Sequence, residues 1–329
     1  MVTPVTVAFI GSGPRAASQL EAMRRSGTAE PVAFWNRTPE VARRLADATP
    51  GTRAFDGIAE MVRATTPDVV AVSTHPASRI EPIREAVDAG AMVILLEKPI
   101  ALSAEDLDEL SSFVEGSGCF VAVNTQYPWM DHWRDFRELL AEGGLGTVRA
   151  IRASTGRNIL EQGPHLLSLA LSTAAAAGLP APSWVLAGAS GDEAFGDLVV
   201  PAELTAAIDL GAARLLLLAG ESAPRVPGET ELNYQQQIEI TGDKGLIWVS
   251  LNQGWTMWRD GEYSTGRTAW PDDDYQSQAD LFRDLAAAVH DPALRAVFPT
   301  RLEVSAAQCA LLFACIESAR TGRRVGLAR

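Results

Sequence analysis

Two short stretches near the N-terminus carry residue types that could do chemistry. Gly11-Ser12-Gly13-Pro14-Arg15-Ala16 is a GxGxxA loop set between an apolar run, residues 5–10, and an amphipathic stretch over residues 14–26 with Ala17, Leu20 and Met23 on one side. Strand, glycine turn and helix in that order make a phosphate cradle. The first glycine permits the tight turn, the second lets the backbone approach a pyrophosphate, and the small third residue allows close helix packing. The helix start adds free N–H groups and the positive end of its dipole. The same glycines can serve a purely structural turn, but the strand-turn-helix setting favours a bound dinucleotide. The second stretch, Asn36-Arg37-Thr38, ends the next apolar segment, where a carboxylate would accept the ribose 2′-OH of NAD. With that carboxylate missing and Arg37 able to pair with a 2′-phosphate, NADP(H) is favoured over NAD(H); the competing reading is a solvated arginine at a helix entry.

The elements that must hold these loops alternate. Residues 32–35 read as a strand that leads into a helix over 40–48, with Thr38 as N-cap and Pro39 at the first helical position. Asp56 is placed to cap a third helix, residues 68–73 form a strand with an apolar centre, and 81–89 and 92–96 repeat helix and strand. Ser103 to Asp106 resembles a capping box, starting a helix that ends near Gly116 and Gly118, and residues 120–123 close the series. Strands apolar on both faces that alternate with helices predict a doubly wound parallel sheet, an α/β Rossmann domain over residues 1–123. Beyond it come a helix over 131–142, a strand over 147–154 and a Leu/Ala-rich helix over 166–177. Six strand-like runs then lie between residues 184 and 266, separated by Gly, Pro and Asp turns. They predict a large, mostly antiparallel sheet, and helices over 276–290 and 301–321 complete an α+β domain over 124–329.

Totals set further bounds. A chain of 329 residues exceeds one compact core, and 47% hydrophobic with 21% charged residues is ordinary globular composition. A formal net charge of −13 without any Lys/Arg run repels a polyphosphate backbone, so nucleic acid is not an expected partner. Cys119, Cys309 and Cys315 lack CxxC spacing and read as buried reduced thiols; no cluster has metal-ligand spacing, so no metal is expected. The N-terminal Met-Val-Thr-Pro runs straight into the first strand, and no segment approaches the roughly 18 to 20 apolar residues of a membrane span. A cytoplasmic protein without a membrane partner is the expectation.

Further motifs are spread along the chain. Glu97-Lys98-Pro99 follows the fifth strand, and residues 67–70 (PDVV) lead to Thr74. Residues 143–148 read GGLGTV, Ile238 to Gly242 with Gly245 reads as a hairpin, and residues 317–322 close the last helix. In these stretches the sequence resembles the Gfo/Idh/MocA family of oxidoreductases, named for glucose-fructose oxidoreductase and inositol dehydrogenase. The resemblance implies a cofactor site built from Gly11, Ser12, Gly13, Pro14, Arg15, Asn36, Arg37, Thr38, Ser73, Thr74, His75, Glu97, Lys98 and Pro99. Glu161-Gln162-Gly163-Pro164-His165 is similar to the family's Asp-x-Gly-x-His and is placed at a helix start. It implies His165 as general acid/base, Lys98 as its electrostatic partner and Glu161 as the carboxylate beside them. That chemistry is sound: hydride removal from a carbinol needs a proton acceptor active near neutrality and a cation to stabilise charge on the oxygen.

The sequence departs from the family's pattern at Glu161, His75, Arg79 and Asn124-Thr125-Gln126-Tyr127, which puts the common family substrates in doubt. Asn124, Gln126 and Tyr127 are expected on the substrate side. His75, at the mouth of the fourth strand, stands open between a site role and none, while His132 and His290 read as surface residues. Tyr127, Trp129, Trp133, Trp255 and Trp258 are ring-stacking candidates set against a role in the core. The expected activity is hydride transfer between NADP(H) and a carbinol or ketone of a sugar-like or other polar cyclic small molecule. The alternatives are imine reduction, a glycosidase that oxidises its sugar transiently, and a cofactor sensor without catalysis, against which the presence of both Lys98 and His165 argues. The resemblance also implies a homodimer or homotetramer through the C-terminal sheet.

Overall fold

The computed structural model describes residues 3–196 and 198–327; Met1 and Val2, the start of the N-terminal stretch considered above, lie outside the described residues. Strands and helices alternate from β1 (Val5–Ile10) and α1 (Pro14–Ser26) through β2 (Ala29–Trp35), α2 (Pro39–Asp47), β3 (Arg53–Phe55), α3 (Ile58–Thr65), β4 (Val69–Val72), α4 (Ile80–Asp88), β5 (Val93–Glu97) and α5 (Ala104–Ser117) to β6 (Phe120–Asn124). The six strands form one parallel sheet in the order β3-β2-β1-β4-β5-β6. Every residue of β4 and β5 is buried, and both are apolar throughout except for Glu97 at the end of β5. The chain winds outward from β1 to β3 and returns on the other side of β1 as β4. The loops after β1 and β4 therefore part at the switch point where such sheets bind ligands. Ser103 caps α5, its Oγ accepting the Asp106 N–H at 3.1 Å. Asp56 does not cap α3: Gly57 holds that position, and the Asp56 carboxylate pairs with Arg43 at 2.9 Å.

The chain continues through α6 (Asp131–Ala141), β7 (Val148–Thr155), α7 (Ile159–Ala176), β8 (Trp184–Phe195), β9 (Leu198–Leu210), β10 (Ala213–Ala219), β11 (Gln236–Gly242), β12 (Gly245–Ser250), β13 (Gly254–Arg259) and β14 (Glu262–Arg267), whose strands belong to a second sheet. After them come α8 (Asp272–His290), α9 (Leu302–Thr321) and β15 (Val325–Gly326). Nine strands pair in the order β14-β13-β12-β11-β7-β10-β9-β8-β15, all antiparallel except β7 with β10. Between those two strands the chain passes through α7 and the β8–β9 pair, a connection long enough to bring β10 back parallel.

The compact units divide the chain differently from a single cut after residue 123. One unit holds Met1–Trp129 with Asp274–Ala306, the other Met130–Asp273 with Ala307–Arg329. The reason lies in α8, whose Leu281, Phe282, Leu285 and Ala286 share one core with Val5, Phe9 and Phe34 of the parallel sheet. The segment after α8 is tied in by Val123 N–H donating to the Thr300 carbonyl at 2.8 Å. α9 corrects the membrane reading, because its 20 residues are long and apolar enough by composition to cross a bilayer. In the fold it is packed: Leu311, Leu312 and Cys315 are buried, and Ser318 Oγ accepts the Ala187 N–H at 2.9 Å. All three cysteines are free and buried, and burial pushes the Cys119 and Cys315 thiols up to about 12.

Candidate functional site

The glycine loop leaves β1 under tight constraint. Gly11 has φ +97°, and a Cβ there would meet Ser73 C at 3.0 Å and Thr74 N at 3.1 Å. Its N–H donates to the Trp35 carbonyl at 2.9 Å, and its carbonyl accepts from Ser73 Oγ at 3.1 Å, so the loop is pinned to the ends of β2 and β4. Gly13 is the opposite case: a Cβ there meets nothing within 4 Å. Gly13 is also the N-cap of α1, which has no side-chain cap and no acidic residue in its first turn, leaving its N–H groups to an anion. A cleft of about 680 Å³ runs from this loop past Asn36 and Arg37 to the 73–82 segment. At its rim Asn36 Oδ1 accepts the Thr38 N–H at 2.9 Å, while Arg37 is exposed and pairs with no carboxylate among the described residues.

His75 is exposed and its Nδ1 accepts the Ala77 N–H at 3.3 Å, capping a short turn over Pro76–Ser78. Glu97 and Lys98 differ in setting. Glu97 is 4% exposed and its Oε1 accepts from Gln19 Nε2 at 2.7 Å and Asn124 Nδ2 at 2.6 Å, whereas Lys98 is half-buried and the Lys98–Pro99 peptide is cis. Gln126 Nε2 donates to Asp274 Oδ1, and Gln278 Nε2 to Asp274 Oδ2 at 2.9 Å. Burial pushes the Asp274 carboxyl up, against the two amides and Arg15, which pull it down. Asn124 and Gln126, expected on the substrate side, thus hold the buried Glu97 and the half-buried Asp274 carboxylates, and Tyr127 is itself buried. Arg79 is equally committed: its guanidinium donates to the carbonyls of Thr74, Glu97 and Pro99.

In the second unit the Glu161–His165 motif lies within α7 and not before it, because the helix starts seven residues earlier than its Leu/Ala pattern suggested. Asn158 is the N-cap, its Oδ1 accepting from Leu160 N–H at 3.1 Å and Glu161 N–H at 3.0 Å. Gly163 and Pro164, which look like helix breakers, are accommodated inside. A Cβ on Gly163 would lie 2.8 Å from Leu312 Cδ2, so the glycine permits the close approach of α9. Glu161 and His165, four apart, share a face of α7. His165 is 6% exposed, and Glu161 Oε1 lies 3.9 Å from Arg157 Nε. His132 is half-buried, not a surface residue, and burial pushes its imidazole down against the pull of Asp273, Asp131 and Asp135. His290 is exposed, as expected. Tyr127, Trp129 and Trp133 are core residues, Trp255 packs edge-on to Phe136, and Trp258 is exposed. Among the described residues no group of three or more His, Cys, Asp or Glu is placed to hold a metal ion.

Sequence reading missed three features. The Asn158-x-x-Glu161 spacing is itself a helix-start signal, overlooked because Gly163-Pro164 follows it. Arg79 stands out only as a departure from the family pattern and Asp274 not at all, since Glu97 and Pro99 lie far from the one in sequence and Gln126 far from the other. The third is compositional: the chain has 26 arginines and two lysines, Lys98 and Lys244. Lys244 sits exposed in the hairpin turn between β11 and β12, so the turn after β5 holds the other amine of a chain that otherwise uses guanidinium.

A Rossmann unit with a glycine cradle, followed by a largely antiparallel sheet, defines a two-domain dinucleotide-binding protein. Residues 5–125 match the model described as "Oxidoreductase family, NAD-binding Rossmann fold" (GFO_IDH_MocA), so over this domain the chain is similar to the Gfo/Idh/MocA oxidoreductases. Among curated proteins it is 30% identical over 135 residues to dTDP-3,4-didehydro-2,6-dideoxy-alpha-D-glucose 3-reductase of Streptomyces violaceoruber, covering 41% of this chain and 39% of that protein. The matched stretch spans about two fifths of the length of the curated relatives. The whole fold resembles that of an inositol dehydrogenase homolog from Azotobacter vinelandii, solved with NADH and myo-inositol. The TM-score is 0.82 at 15% identity, over 99% of this chain and 98% of that one. It also resembles a super-repressor mutant of Gal80p from Saccharomyces cerevisiae, with TM-score 0.81, 12% identity and 98% of both chains covered.

Proposed function

We propose that the chain transfers a hydride between NADP(H) and a carbinol or ketone carbon of a sugar-like or other polar cyclic substrate. The observation that carries this reading is Lys98, an amine kept in an arginine-rich chain at the turn after β5. A lysine brings a compact ammonium to bear on a single oxygen, whereas an arginine spreads its charge over a planar fork. The same fold occurs in a repressor, so the fold alone does not argue for catalysis. The Streptomyces relative, named as the reductase of a didehydro sugar carried on dTDP, supports a keto sugar as the substrate class.

The residues fit a dinucleotide: the space over Gly13 and the uncapped start of α1 would receive the pyrophosphate. Arg37 would hold a 2′-phosphate, and the segment from Ser73 to His75 with the turn from Glu97 to Pro99 would receive the nicotinamide end. The bound cofactor supplies the hydride chemistry. His165 takes the hydroxyl proton during oxidation and returns it during reduction, with Glu161, one helical turn earlier, orienting the imidazole. The Lys98 ammonium stabilises negative charge developing on the substrate oxygen.

A second copy of the chain is proposed to cover part of the nine-stranded sheet. The row Leu186–Ala207–Leu216 leaves both leucines exposed, while the adjacent row Val185–Ile208–Leu215 is buried. The activity is tested with a panel of ketones, polyols, imines and nucleotide sugars, followed by nicotinamide absorbance with each cofactor. Net oxidation of NADPH by a ketone supports the reading; net turnover with imines alone overturns it.

A further inference from the structure

One side chain ties the loop after β4 to the turn after β5. Arg79, the N-cap residue of α4, is 3% exposed. Its Nε donates to the Thr74 carbonyl at 3.2 Å and Nη2 to the same oxygen at 2.5 Å, while Nη1 donates to the carbonyls of Glu97 and Pro99. The last two carbonyls stand on either side of Lys98. Among the described residues no carboxylate pairs with Arg79; Glu97 turns its Oε1 to Gln19 and Asn124 instead. Burial pushes Arg79 down to about 10, so it remains a cation at neutral pH. A buried cation held only by backbone oxygens is costly, and an apolar side chain of similar size would fill the space at less cost. What the apolar side chain could not supply is the planar fork that reaches three carbonyls on two loops at once.

We propose that Arg79 is a positioning residue that fixes the backbone on both sides of Lys98 and locks that turn to the Thr74–His75 loop. The proposal rests on the reading of Lys98 given above. Its sequence neighbours carry the restraint, and Arg79 itself need touch neither cofactor nor substrate.

The two-lysine composition makes the test direct, because exposed Lys244 is an internal reference for Lys98. The full chain is treated with a water-soluble acetylating reagent at low conversion, and the two labelling rates are read by peptide mass spectrometry. Melting temperatures are measured alongside for wild type, Arg79→Lys and Arg79→Met. The Lys98-to-Lys244 ratio should rise several-fold in Arg79→Met as the turn loosens, and less in Arg79→Lys, with the Lys244 rate unchanged. A lowered melting temperature with the wild-type labelling ratio would mean that Arg79 serves stability alone, and the proposal fails. Should Arg79→Met not fold, Arg79→Lys carries the same comparison. Labelling reads the exposure and free-amine fraction of Lys98 and not turnover, with Arg79→Lys keeping the local charge, so full turnover by Lys98→Met would remove the catalytic reading while leaving the labelling result to stand or fall by itself.

Discussion

Gly11 and Gly13 stand two residues apart in one loop, yet alanine or valine in their places should do opposite things. At Gly11 the backbone has φ +97°, a region that costs a side-chain-bearing residue about 1–2 kcal/mol. The new Cβ would also press on Ser73 C, Ser73 Oγ and Thr74 N at 3.0–3.1 Å. Two of these are backbone atoms that cannot swing aside, and overpacking of this kind adds about 1–2 kcal/mol. Gly11→Ala should therefore lose about 2–4 kcal/mol, a fall in melting temperature of about 4–15 °C for a unit of this size. Gly13 has an extended backbone that valine can adopt, and a Cβ there meets nothing. Gly13→Val should cost about 1 kcal/mol or less in stability, the scale of a weakened N-cap. Its branched side chain would fill the space where a pyrophosphate must approach, weakening NADPH by about a hundredfold or more, equivalent to about 3 kcal/mol. Thermal melts and NADPH fluorescence titrations on both variants decide the matter. Unchanged affinity in a folded Gly13→Val protein would refute the cradle, and an unshifted melt for Gly11→Ala would refute the strain argument.

Three further outcomes are expected. Arg37→Ala should weaken NADPH by about 1.5–3 kcal/mol and leave NADH nearly unchanged, since only NADPH offers a charged group to that guanidinium; equal losses for both cofactors in titration would remove the preference. His165→Asn should slow single-turnover hydride transfer roughly a hundred- to ten-thousandfold with cofactor affinity intact. Adding Lys98→Met should then slow it little further if both serve one proton transfer, while full multiplication of the single effects would separate them. Asp274, raised by burial, binds its proton more readily folded than unfolded. Stability should therefore fall, by up to about 1.4 kcal/mol per pH unit, as pH rises from the ordinary carboxyl value through the raised one. Asp274→Asn should flatten that slope in denaturant melts, and an identical pH profile in both proteins would show that burial does not govern this carboxyl.

The parallel sheet was legible because its strands are apolar on both faces and its loops carry Gly, Pro and Ser at positions with mechanical meaning. β3 was missed, as three residues leave no periodicity to read. The antiparallel sheet was read as several strands, but β14, with Glu262, Tyr263 and Arg267 exposed, has no apolar face to mark it. The start of α7 was hidden by Gly163 and Pro164, whose presence makes sense only once Leu312 is seen against Gly163. In the candidate site, the glycine cradle and Arg37 could be found from spacing alone. The commitment of Asn124 to Glu97 and of Gln126 to Asp274 could not, because β5–β6 pairing and the placement of α8 create those contacts. Arg79, Asn124 and Gln126, read as departures toward the substrate, make hydrogen bonds within the first unit that the sequence did not reveal.

The measurement that bears most directly on the central claim is isotopic. NADPH carrying deuterium at the transferring carbon is incubated with the protein and a ketone found in the panel, and the product is read by mass spectrometry. Hydride transfer predicts one deuterium on the new carbinol carbon for each cofactor oxidised, more slowly when NADH replaces NADPH. Product formed with no deuterium and no net loss of NADPH would contradict the account and assign the bound cofactor another role.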